Sequence, residues 1–216
     1  MNKSEIEYGI ICPRKFGKHP KSKHRILWIL KEANDSEGGG WSLTDFLATR
    51  IDETEGLFHY SRWTATFGLV IKVSYGLLNG FIDYDKIEKD LKKASEILDY
   101  IAIINIKKVP GGSRAYLPKI AEEINLQVIL KQINEIEPDI VIGGNTLWIL
   151  AKNNLFLESK DLSQESWGLF KNKRLWVDAY HPNNTTVTHQ EYYSQIINLG
   201  KKYFSNFYSC INELRD

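Results

Sequence analysis

Four short runs of apolar residues with no polar alternation punctuate the chain, at residues 26–30, 100–105, 139–145 and 174–182. Runs of this length, rich in β-branched and aromatic residues, predict strands covered on both faces, as in a parallel sheet. Between them the apolar spacing changes to that of helices. Residues 61–78 carry Trp63, Phe67, Val70, Ile71, Ser74 and Leu78, and Asn79-Gly80 stops the pattern. A stripe of Ile87, Leu91, Ala94 and Leu98, with lysines and acids on its other faces, predicts a second helix. A third spans 120–137, ending at Pro138, and a short one holds Leu147, Trp148 and Leu150. Thr188-His189-Gln190-Glu191 has capping-box spacing and opens a long terminal helix. Residues 152–173 read as loop with a short strand near Leu169-Phe170. Strands alternating with helices predict an α/β fold: a three-layer α/β/α sandwich around a four-stranded parallel sheet, with right-handed crossovers.

The length of 216 residues suits one domain, with residues 1–24 as a polar, basic lead-in. That segment reads first as solvated and second as a phosphate-facing arm. A net charge of +1 gives no global pull toward nucleic acid or membrane, so any attraction to phosphate is local. Cys12 and Cys210 show no metal or redox spacing, which fits a reducing cytoplasm and offers no ligand cluster for a metal. No apolar run is long enough to span a bilayer and the polar N-terminus is unlike a secretion signal.

Ligands of open parallel sheets bind beyond the carboxyl ends of the strands. The groups found there are therefore the candidate chemistry. The first strand exits into Lys31-Glu32-Ala33-Asn34 and then Gly38-Gly39-Gly40-Trp41. Glu32 reads either as a solvated loop acid or as a catalytic carboxylate. Trp41 reads either as a core residue or as a platform for a planar ligand. The second strand closes on Asn105, whose amide offers a donor and an acceptor suited to a pyrimidine edge, or else ties its own turn. Lys107, Lys108 and Arg114 make the following loop basic. The third runs through Gly143-Gly144 to Asn145, a helix N-cap by default and a ligand contact second. The fourth ends at His181-Pro182; the proline halts pairing and leaves the imidazole at the tip.

In their order these landmarks resemble the uracil-DNA glycosylase superfamily. That family carries an acidic or amide motif after its first strand and an asparagine, in an Asn-x-x-Lys-like pattern, at the end of its second. An Ile-x-x-x-x-Pro-x-hydrophobic run leads its third strand into a glycine, and His-Pro follows its fourth. Lys31-Glu32-Ala33-Asn34 is most similar to the Gly-Glu-Ala-Pro-Gly motif of the iron-sulfur branch, and Asn105-Ile106-Lys107-Lys108 to that branch's Thr-Asn-Val-Val-Lys segment. The likeness covers roughly residues 25–190. Lys31 and Asn34 replace the family's glycine and proline, and the cluster cysteines are missing, so no iron-sulfur centre or other cofactor is implied. After His181-Pro182 the loop is the polar Asn183-Asn184-Thr185-Thr186, with Val187 its one apolar candidate for a duplex wedge.

The resemblance implies hydrolysis of the N-glycosidic bond of uracil or another damaged base in DNA. Glu32 would orient the water and His181 would stabilise the departing base. Asn105, Trp41, Asn34 and Asn145 would contact the base, and Lys107, Lys108 and Arg114 the phosphates. Two alternatives stand beside it: a non-catalytic nucleic-acid or nucleotide binder on the same scaffold, and a hydrolase of free nucleosides or other small molecules.

Overall fold

A computed structural model describes residues 7–33, 35, 38–111, 124–162 and 167–212, with side chains through residue 204. Asn34 and Arg114 lie outside the described residues.

The strands are β1 (Gly9–Ile10), β2 (Ile26–Leu30), β3 (Ile101–Asn105), β4 (Ile140–Gly144), β5 (Gly168–Lys171) and β6 (Arg174–Ala179). The helices are α1 (Leu43–Ala48), α2 (Ser61–Leu78), α3 (Leu91–Ala94), α4 (Leu126–Ile136), α5 (Leu147–Lys152) and α6 (His189–Asn212). Among the described residues the strands form one mixed sheet in the order β1-β3-β2-β4-β6-β5. The four apolar runs pair in parallel as β3-β2-β4-β6. The sheet is thus wider than the four strands expected. Short antiparallel strands cap both edges, β1 on β3 and β5 on β6. Of these, β5 is the short strand read near Leu169-Phe170, while the two-residue β1 leaves no periodicity to read.

Every residue of β2, β3 and β4 is buried, which is why these strands lack alternation. Helices cover both faces. The Trp28 indole N–H donates to Ser74 Oγ of α2 at 3.0 Å. On the opposite face Trp176 packs against Phe156, just beyond α5, with ring centroids 5.6 Å apart. Helices α2 and α6 lie together: Tyr193 of α6 sits over Gly76 of α2 so closely that a side chain there would strike the phenol. Replacing Ser74 by alanine would strand the buried Trp28 N–H. It is expected to lower unfolding free energy by about 1–3 kcal/mol, measurable as a shifted urea midpoint at unchanged slope.

Three local readings are corrected. The stripe from Ile87 to Leu98 is mostly buried as expected, yet it is not one helix. The short α3, N-capped by the Asp90 carboxylate, gives way at once to a 3-10 segment over Ser95–Tyr100. The N-terminal segment is not wholly a solvated lead-in, because Tyr8 and Ile11 belong to the core and β1 pairs with β3, while Arg14, Lys15, Lys18, Lys21 and Lys23 are exposed as read. The N-cap of α5 is Thr146, not Asn145. Asn145 takes a left-handed conformation (φ 60), which asparagine tolerates, and its N–H donates to the carbonyls of Gly143 and Ala179. The Thr188–Glu191 capping box forms as read, with the Glu191 carboxylate accepting from the Thr188 N–H and the Thr188 hydroxyl from the Glu191 N–H.

Candidate functional site

The parallel strand order places a switch between β2 and β4. The chain leaves β2 toward β3, then returns to the other side of β2 to lay down β4 and β6. Crevices open at such a point beyond the carboxyl ends of the strands. Glu32 and Asn145 leave the two strands flanking it. Asn105 and His181 leave the next strand on either side.

Glu32 and Asn105 are brought together. After β3 the chain continues alongside the residues following β2: Ile106 N–H donates to the Leu30 carbonyl at 2.8 Å, Lys107 N–H to Lys31 at 3.0 Å, and Gly111 N–H to Ala33 at 2.9 Å. This extension covers the Glu32 side chain, which is 6% exposed. Gly111 lies directly against it, and any Cβ there would coincide with the carboxylate. The Lys107 ammonium stands 3.0 Å from Glu32 Oε2. It compensates the buried charge electrostatically, and Oε2 accepts no hydrogen bond among the described residues.

Asn105 is 4% exposed. Its Nδ2 donates to the Tyr8 hydroxyl at 3.1 Å, while buried Oδ1 has no partner. A buried amide oxygen without a donor is costly to keep, and such atoms ordinarily mark a place for water or ligand. The Lys108 ammonium donates to the Asn105 carbonyl at 2.8 Å and to Gln132 Oε1, and lies 5.1 Å from the Tyr8 ring centroid. The ammonium groups of Lys107 and Lys108 are therefore engaged inside the protein, against the acid and the amide strand end, rather than presented outward.

Tyr8 is the member of this cluster that sequence reasoning missed. Burial pushes its phenol pKa up, and the charges of Glu32 and Asp35 add to the rise. The Asn105 amide, which donates to the phenol oxygen, and the Ala33 backbone act in the other direction. The phenol thus binds the amide and lies within the field of the acid.

His181 is held by the end of β4 and by α6. A methyl added to Gly144 would lie 3.3 Å from Pro182 Cδ and 3.6 Å from His181 Cα. The buried Tyr192 hydroxyl donates to the carbonyl of Tyr180, the preceding residue, at 2.8 Å. Nδ1 of His181 accepts the Asn183 N–H at 3.2 Å, which assigns the imidazole proton to Nε2. Burial first, and the positive charge of Lys31 second, push the His181 pKa down to about 4. Lys31 is itself pushed down by burial and pulled back up by Glu32. Lys31 thus feels both groups, but His181 makes no hydrogen bond to Glu32 or Asn105 among the described residues.

The three glycines before Trp41 all have left-handed φ (107, 84 and 80), a path other residues take only with strain. The loop folds onto Asp35, whose Oδ2 accepts from the Gly39 N–H and the Trp41 indole N–H, each at 2.9 Å. Trp41 is half-buried and meets Trp63 edge-on at a centroid distance of 5.9 Å. The core reading of this residue is the one the contacts bear out: Trp41 packs on the core and its indole N–H is spent on Asp35. Val187 packs against the core, and its N–H, with that of Thr186, is held by the Asn184 side chain.

Among the described residues no group of three or more His, Cys, Asp or Glu is placed to hold a metal ion, and no helix is long and apolar enough to cross a membrane. No known family and no curated protein matches the chain.

Proposed function

We propose that the chain is a base-excising hydrolase, built like a uracil-DNA glycosylase, that cleaves the N-glycosidic bond of uracil or another damaged base in DNA. One observation carries the reading. A buried amide with an unpartnered oxygen stands one strand away from a buried carboxylate, at the carboxyl end of a parallel sheet. In this reading Asn105 Oδ1 accepts from a ring N–H of the base, and Trp41 offers a flat surface beside it. Bond cleavage leaves positive character on the sugar and negative charge on the base. Glu32 stabilises the first and orients the attacking water. The Nε2–H of neutral His181 donates to the developing base oxyanion, and the nearby Lys31 charge adds to that attraction.

Incubating purified protein with an oligonucleotide bearing a single uracil, then cleaving abasic sites with alkali, tests this directly. Strand scission on single-stranded substrate is the expected result. Intact strands, with uracil and with the common deaminated and oxidised bases, reject it.

A second reading, a binder that does not cleave, is favoured by the Lys107–Glu32 ion pair, because a carboxylate held by an ammonium is a poorer partner for water. Binding of the same oligonucleotide that survives a Glu32→Ala, His181→Ala double substitution, without turnover in the wild type, selects it.

A further inference from the structure

We infer that Tyr8 is a specificity-determining positioning residue: its hydroxyl fixes which way the Asn105 amide faces, and so selects a ligand edge bearing a ring N–H, as in uracil or hypoxanthine, over one bearing a bare ring nitrogen, as in cytosine or adenine. The inference rests on the reading of Asn105 as the base-contacting group.

A side-chain amide is ambidextrous. Turned one way it offers oxygen to a ligand, and turned the other it offers NH₂, at almost no steric difference. Something must break the tie if the site is to discriminate. Within the described residues the side-chain group recorded against the Asn105 amide is the Tyr8 hydroxyl, at 3.1 Å. A hydroxyl alone would not suffice, since it donates or accepts equally well. Here its own hydrogen is biased. The negative charges of Glu32 and Asp35 lie near enough to the phenol to push its pKa up. Anionic neighbours draw the O–H toward themselves and leave the lone pairs for N–H donors. The phenol is therefore an acceptor toward Asn105, Nδ2 is the atom turned to it, and Oδ1 is the atom left over. An oxygen in that position binds a donor and meets a bare ring nitrogen lone pair to lone pair.

The ring itself is firmly seated. Tyr8 is buried, Lys108 lies over its face, and its backbone carbonyl accepts from Gln132 Nε2 at 3.3 Å. Tyr8→Phe therefore removes the orienting oxygen and leaves the packing.

The test compares wild type and Tyr8→Phe for binding of free uracil against free cytosine by calorimetry, and for excision of each base from single-stranded oligonucleotides. Wild type is expected to prefer uracil. In Tyr8→Phe the preference is expected to fall by roughly tenfold or more, mainly through KM, with the melting temperature changed little. A preference equal in the two proteins overturns the inference and leaves the proposed function standing. Wild type that neither binds nor excises any base overturns both. Should the variant fail to fold, side-chain amide NMR of wild type decides. One Asn105 amide proton exchanging slowly and in contact with the Tyr8 ring supports the inference, and two protons exchanging at solvent rates overturn it.

Discussion

Glu32→Gln is expected to lower the rate of base release by roughly two to four orders of magnitude, the usual range for losing a positioned acid or base. Glutamine keeps the size and shape of the side chain, so the close fit against Gly111 survives. It cannot carry the charge that would stabilise a sugar cation or take a proton from water. It also removes the negative charge 3.0 Å from the Lys107 ammonium, which is only 15% exposed. Single-turnover kinetics on a uracil oligonucleotide measure the change, with a melting curve as the folding control. A rate within a few-fold of wild type would remove Glu32 from the chemistry. Unchanged binding of the oligonucleotide alongside the lost rate would separate a chemical role from a binding one.

Substituting His181 by alanine is expected to cost roughly a hundred- to a thousandfold in the same assay, the scale for one preorganised donor to a developing anion. The pH dependence gives a second, independent handle. In the folded chain the imidazole titrates at about 4, against 6.5 for an unperturbed histidine. Between those values the unfolded chain binds the proton and the folded one does not. The contribution of this group to stability is therefore complete above pH 6.5 and is lost as pH falls toward 4, by roughly 3 kcal/mol at most. Urea unfolding of wild type and His181→Ala across pH 4–7 should converge toward the acid end. Curves that stay parallel would show that the imidazole is not held neutral by the fold.

The sheet was legible because its central strands are buried on both faces, and continuous apolar runs record that directly. Glu32, Asn105 and His181 were legible for the same reason: in a parallel sheet the residue after each run stands at the same end as the others. What escaped reading depends on contacts between distant parts of the chain. Tyr8 precedes a two-residue strand and meets Asn105 across 97 positions, with no motif around it. The destinations of Lys107 and Lys108 are likewise tertiary. A lysine pair after a strand looks the same in sequence whether it faces phosphate or folds back on an acid and a strand-end carbonyl. The helix boundary falls one residue later than read because Asn145 takes a left-handed turn, and Thr146, at the N-cap position, spends its hydroxyl on the Ile29 carbonyl of β2 rather than on the helix.

Val187, seated on the hydrophobic interior, has a kinetic implication. With its apolar tip committed inward and the surrounding turn tied by Asn184, this loop has nothing greasy to drive into stacked base pairs. Under the proposed reading, excision from paired strands would run at the pace of spontaneous breathing. It should then quicken with temperature and near mismatches or fork ends, while unpaired stretches are processed at the full chemical rate.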